Sequence, residues 1–323
     1  MARPSPESAG SPPRPNRMAM ARSGLRRYPR ALVRSLLGRP CTAAEAGTLE
    51  LDDSAPDLSL AAAWLGHASI LLRLAGCWIA VDPVLGDRIG LRLIGRTVGV
   101  ERLIKPALTI ERLPTLDLLL LTHAHFDHLD RPTLKRLADP RTRVITATRT
   151  RRLIPKGFGS VEELGWDHTL DHPRSAHAGG PPTTPALTVA AIQPNHWGAR
   201  RALDRRRGYN SYVLDSGDRR VLVTGDTAFT RAFEGLAETD KLDLAVFGIG
   251  AYEPWQHQHA TPEEVWDMFL QSGANYLMPV HHSTFPLSDE HPDEPMRRLL
   301  EIAGDDADRI VGRDLGELWT PPE

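Results

Sequence analysis

The decapeptide LTHAHFDHLD, residues 121–130, packs His123, His125, Asp127 and His128 into six consecutive positions. In an extended segment, residues two apart point the same way, so His123 and His125 can grip one cation together. Asp127 and His128, past a turn at Phe126, are aimed elsewhere, and the split predicts two metal ions rather than one. Imidazole and carboxylate without thiolate suit zinc first, with manganese, iron and nickel as competitors. The two cysteines, Cys41 and Cys77, lie far apart and outside any C-x-x-C pattern, which argues against a disulfide framework or a cysteine-rich zinc module.

Such a centre needs further ligands, and the pattern of elements indicates where they come from. Short apolar runs alternate with helical ones from about residue 57 onward, punctuated by glycine and proline. Several runs read as strands that end on a potential ligand: LLLLTH at His123, AAIQPNH at His196, VLVTGD at Asp226 and YLMPVH at His281. Strand ends in α/β proteins gather at one edge of the sheet, so these side chains are expected in one cleft. Helices are expected at 131–138, 227–238, 262–272 and 293–303, a loop-rich segment at 83–108, and an exposed histidine-rich loop at 168–177. A helix after Asp226 gives that residue a second reading, as a helix cap.

The formal charge of −2 hides an asymmetry: residues 1–39 hold nine arginines and one acidic residue, Glu7, a local +8 that leaves −10 for the remainder. This Pro/Arg-rich stretch, residues 1–56, reads as a solvated basic arm, disordered at its start. Leu25, Leu32 and Leu36 among arginines give a second reading as a membrane-surface helix, against which Pro29 counts as an interruption. With no membrane-spanning apolar run and no signal-peptide pattern, the expected location is the cytoplasm, peripheral to the inner membrane surface if the arm binds lipid.

The motifs resemble those of the metallo-β-lactamase fold hydrolases. More narrowly, they are similar to the branch of N-acylphosphatidylethanolamine-hydrolysing phospholipases D and its bacterial relatives. The matching stretches include WLGHAS at 64–69, VDPVL at 81–85, PNHWGAR at 194–200, TGDTAF at 224–229, QHATPEE at 258–264 and HHSTFPLSDEHPDEP at 281–295. The resemblance implies an α/β fold, a four-layer αββα sandwich, over residues 57–323. It also implies two zinc ions, one held by His123, His125 and His196, the other by Asp127, His128 and His281, with Asp226 bridging. The family pattern favours His281 over its neighbour His282. His67 and Asp82 are expected to orient ligands through hydrogen bonds, and His259 to lie in the cleft and assist proton transfer.

Two divalent cations with Asp127, Asp226 and a bridging hydroxide leave a net charge of about +1, which matches a phosphodiester or a developing oxyanion. Asp127, Asp226 and His259 are the expected catalytic residues. Three substrate classes follow from the resemblance: an N-acylphosphatidylethanolamine-like lipid; a small ester, lactone or sugar phosphate; and, third, nucleic acid, which is not expected because no insert is large enough for a nucleic-acid-binding domain. Arg200, Arg201, Arg205, Arg206 and Arg207 follow His196 and could border the mouth with positive charge. Only Trp255, Gln256 and His257 separate Glu253-Pro254 from Gln258-His259, where mammalian members of the branch carry a longer apolar insert.

Overall fold

The computed structural model describes residues 16–37, 40–47, 49–51, 59–93, 95–173, 185–200, 204, 206–238 and 241–322. Two mixed β-sheets face one another. The first comprises β1 (Leu60–Gly66), β2 (Ser69–Leu74), β3 (Cys77–Val81), β6 (Leu118–Leu121), β7 (Arg143–Ala147), β8 (Ser160–Leu164) and β15 (Leu318–Trp319), in the order β15-β1-β2-β3-β6-β7-β8. The second comprises β9 (Thr169–Pro173), β10 (Pro185–Ile192), β11 (Ser211–Asp215), β12 (Arg220–Val223), β13 (Leu244–Gly248) and β14 (Tyr276–Val280), in the order β14-β13-β12-β11-β10-β9. A hairpin, β4 (Arg88–Leu93) and β5 (Arg96–Glu101), stands apart from both.

The period of two along each strand builds the layers. In β1, Leu60, Ala62 and Trp64 enter the core between the sheets, whereas Ala63 and Leu65 face outward into a second core with Leu129 and with Leu134 of α2 (Arg131–Leu137). In β14, Met278 and Val280 point between the sheets and Leu277 points outward. There it meets Val265 and Phe269 of α3 (Pro262–Ser272) and Leu299 of α4 (Glu294–Ala303). The order helix, sheet, sheet, helix is the expected αββα sandwich. α3 starts on a capping box, in which Thr261 and Glu264 satisfy each other's backbone N–H, and stops at Gly273, whose φ of +72° suits a residue without Cβ.

Four expectations are corrected. Segment 83–108 is not mainly loop, because it holds the β4–β5 hairpin. Within 168–177, residues Thr169–Pro173 form strand β9 with His172 buried, while 174–177 lie outside the described residues. No helix forms at 227–238: the described chain there runs in turns around a buried Phe233, which removes the capping role considered for Asp226. The arm is not a free leader either. Residues Arg17–Leu36 form one helix, α1, which runs through Pro29 and docks along β5. Its Ser35 hydroxyl donates to Gly99 O at 2.9 Å, and its Arg34 pairs with Glu101 at 3.3 Å. Residues 1–15 and the boundary expected at 56 lie outside the described residues, yet Leu49 is buried in the core under α2. Among the described residues, no helix is long and apolar enough to cross a membrane.

Candidate metal centre

Strand ends from both sheets converge on one cleft. The first sheet delivers His67 after β1, Asp82 after β3 and the turn His123–His128 after β6; the second delivers His196 after β10, Asp226 after β12 and His281 after β14. Several of these positions hold unusual backbone. His67, Asp82 and His281 have φ of +54°, +43° and +64°, left-handed values that cost a non-glycine residue roughly 1 kcal/mol or more each. Gly225, at φ +61°, precedes Asp226, and a Cβ there would come within 2.9 Å of the Thr122 Cβ. Strain gathered where ligating groups meet is the pattern of a built site.

Two groups of potential ligands result, their donor atoms within 4.8 Å of one another in each: His123, His125, His196 and Asp226, and beside it His67, Asp127, His128 and His281. Asp226 reaches both. Its Oδ2 lies 3.7 Å from His123 Nε2, 3.6 Å from His196 Nε2 and 3.1 Å from His128 Nε2, and its Oδ1 lies 3.4 Å from His281 Nε2. Asp127 Oδ2 is 3.0 Å from His67 Nε2 and 3.4 Å from His281 Nε2. His67 thus makes a hydrogen bond to a ligand, as expected of it, and its ring also lies among the potential ligands of the second group. Asp82 does stand behind the ligands: it accepts from the Thr122 backbone N–H at 2.8 Å and faces His128 Nδ1 at 2.7 Å.

The outer contacts set how each ring faces the cleft. His128 turns Nδ1 to Asp82, His123 turns Nδ1 to the Thr122 hydroxyl at 3.0 Å, and His196 turns Nδ1 to the Gln258 carbonyl at 3.0 Å. Each leaves Nε2 for the cluster, the orientation that outer partners impose on metal ligands. His281 enters the cluster, whereas His282 stacks on Trp64 with ring centroids 4.5 Å apart. Thr122 and the Gln258 carbonyl lie within quoted motifs but were given no role there, because their roles depend on neighbours brought in by the fold.

A cation fits this arrangement. Among buried side-chain atoms without a hydrogen-bond partner are His128 Nε2, His281 Nε2 and Asp226 Oδ2, all in the cluster. His123 Nε2 and His125 Nδ1 approach to 2.9 Å, so both turn a ring nitrogen to the same point of the cleft. Burial drives His123 and His196 well below the usual histidine range, which keeps them neutral and able to ligate. Burial would raise Asp127 and Asp226, but His281 and His67, 3.4 and 3.0 Å from Asp127, and the charges of His128 and His281 beside Asp226 hold both carboxyls well below theirs. Ionised carboxylates among imidazoles, with His123 and His196 held neutral by burial and His128 and His281 raised by the carboxylates they face, form a cation-binding set consistent with a dinuclear metal centre, in which a bound cation takes the place of those protons.

His259 lines the same cleft, with Nδ1 3.9 Å from Asp226 Oδ2 and its ring 5.2 Å from that of His196. The cleft is walled by Trp197, Trp255 and His257, and by Met20 and Tyr28 of α1. The contribution of α1 was absent from the sequence reading, since nothing in the helix pattern shows where it docks. Of the arginine run, Arg201 and Arg205 lie outside the described residues. Arg200 bends toward the metal-binding turn: its guanidinium donates to Ala124 O at 2.9 Å and Leu129 O at 2.8 Å and lies 4.1 Å from the Phe126 ring centre.

Residues 77–282 match the family described as "Beta-lactamase superfamily domain". An uncharacterized protein of Mycobacterium tuberculosis is 30% identical over 260 residues, which cover 76% of this chain and 64% of that protein, so this chain spans less than two thirds of that relative's length. An N-acyl-phosphatidylethanolamine-hydrolyzing phospholipase D of Caenorhabditis elegans is 28% identical over 83% of this chain and 78% of its own. Among solved structures, a possible metal-dependent hydrolase of Veillonella parvula superposes with a TM-score of 0.63 at 13% identity, over 82% of this chain and all of that one, a likeness of fold. With more than half of the sequence matched to the family and both ligand groups assembled where strand ends of the two sheets meet, the chain belongs to the metallo-β-lactamase superfamily.

Proposed function

We propose that this protein is a dinuclear metal-dependent hydrolase, zinc being the first candidate, that cleaves a phosphodiester bond of an N-acylphosphatidylethanolamine-like lipid in the manner of a phospholipase D. The observation that carries the hydrolytic reading is the pair of ligand groups sharing Asp226 at the base of an open cleft. His123, His125 and His196 would hold one cation and Asp127, His128 and His281 the other, with Asp226 between them and His67 hydrogen-bonded to Asp127. When bound, two such cations supply Lewis acidity and an ionised water near neutral pH. The protein then needs no nucleophile of its own.

The chain's residues would set orientation and proton traffic. Asp82, Thr122 and the Gln258 carbonyl fix the ring orientations of His128, His123 and His196, so the ligands are in place before substrate arrives. His259, beside Asp226 and facing the cleft, is placed to accept or return a proton at the leaving oxygen. The phospholipid reading is supported by the similarity to the nematode enzyme and by the aromatic and apolar cleft wall. A small ester, lactone or sugar phosphate is the second reading, favoured by the short Trp255–His257 stretch at the mouth.

The test is to incubate zinc-loaded protein with an N-acylphosphatidylethanolamine, a generic phosphodiester and a panel of lactones, alongside Asp127→Ala. Release of N-acylethanolamine by the wild type and not by the variant is expected. Turnover of lactones alone would shift the assignment to the second reading.

A further inference from the structure

α1 is amphipathic in an inverted sense. The side it turns to the protein is small and polar: Ser23 is 1% exposed and Ser35 5%, and Ala31 is partly covered. Met18, Leu25, Leu32 and Leu36 share the opposite stripe, at steps of seven, seven and four residues, and are 84%, 74%, 41% and 62% exposed. A docked surface helix ordinarily buries its apolar stripe and wets its polar one. Here the order is reversed over the full helix, and the patch is continued by Leu91 and Leu93 of the β4–β5 hairpin, 44% and 47% exposed. Singly exposed leucines need no explanation, but a contiguous apolar face does.

Exposed arginines flank this face. α1 contains six arginines and no acidic residue, and Arg22 and Arg26, both exposed, flank the stripe. Arg92 and Arg96 are exposed on the hairpin. The face also joins the metal centre: a groove of about 320 Å³ runs between Leu32 of α1 and Leu91 of the hairpin and reaches His125 and Asp127.

We propose that the outward stripe of α1 and the tip of the β4–β5 hairpin form an interfacial docking face for an anionic lipid bilayer, which seats the open end of the groove against the membrane. Apolar side chains at this depth exchange water for acyl chains, and flanking arginines meet anionic headgroups, the two contributions that hold an interfacial helix. The proposal concerns where the protein sits and does not depend on which bond the centre hydrolyses.

Cosedimentation of the metal-loaded full chain with vesicles tests it. Vesicles of phosphatidylcholine containing phosphatidylglycerol should bind the wild type, and pure phosphatidylcholine should bind it more weakly. Leu25→Asp with Leu36→Asp should weaken binding to both by at least about tenfold. Arg22→Gln and Arg26→Gln should each weaken binding to the anionic vesicles by about fivefold, as should added salt in a graded way. Unchanged thermal melting and metal content in each variant separate loss of docking from loss of fold. Absence of vesicle binding by the wild type, or unaltered binding by the leucine variant, would overturn the proposal. So would sedimentation velocity showing a wild-type dimer that the leucine variant disperses, which would assign the stripe to a second copy of this chain.

Discussion

Asp226 is the residue on which both ligand groups depend, since its two oxygens face His123, His128 and His196 on one side and His281 on the other. Asp226→Asn keeps the shape and removes the charge. Protein-bound metal, measured by mass spectrometry after dialysis, should then fall from two ions per chain to one or fewer. Turnover should drop by more than about a hundredfold, because even partners that only orient a ligand cost 10–100-fold in affinity or activity. Arg200 makes that lesser case concrete. Its two carbonyl contacts bracket the turn carrying His125, Asp127 and His128, so Arg200→Met should weaken metal affinity by about tenfold while leaving the far-ultraviolet spectrum unchanged. The motif residues were readable because their chemistry is written in their types and spacing. Thr122, the Gln258 carbonyl and Arg200 were not, because a hydroxyl, a backbone oxygen and one arginine of a run acquire a role only through the neighbours the fold supplies.

At the level of elements, apolar runs such as LLLL of β6 and the strand-to-ligand junctions were legible, since a strand buried on both faces leaves a continuous apolar signature. The hairpin was not. In RIGLRL and RTVGVE the paired Gly90 and Gly99 read as loop, whereas their backbones in fact approach so closely that a Cβ on Gly99 would meet Ile89 O at 2.0 Å. Segment 227–238 misled in the opposite direction, its helical spacing giving way to turns around Phe233. Strand β9 adds a measurable property. Burial pushes its His172 down to about 4, so the folded protein refuses a proton that the unfolded chain accepts below about 6.5. Above that pH the residue contributes no pH dependence; as pH falls from about 6.5 to 4, stability should decline by as much as about 3 kcal/mol on its account. Urea unfolding across that range should therefore show a shallower decline for His172→Asn than for the wild type.

For the whole molecule, the centre lies between two sheets that touch elsewhere mainly through an apolar core. Ligands from both clamp the cations, so bound metal should stabilise the folded state by mass action. Chelation should lower the melting temperature by about 5–10 °C, the effect expected of a ligand present at about a hundred times its dissociation constant, and zinc should restore it. Calorimetry with and without chelator checks this. The αββα architecture was legible through the family resemblance, with which the order of strands and helices was compatible. The docking of α1 was not, since its polar contacts, from Ser35 and Arg34 to the hairpin and from Ser23 to Asp289, carry no signal at a distance.

The division of ligands between the sheets has a further consequence. The first sheet holds His67 and the His123–His128 turn, and the second holds His196, Asp226 and His281, so neither half can complete either of the two four-residue groups alone. Were the sheets to pair in a slipped register, each could be locally well formed and the cleft would still capture nothing. Metal uptake is in this sense an inspection of assembly: a chain that retains its cations has had both halves checked against each other, and reactivity is conferred only on those that pass.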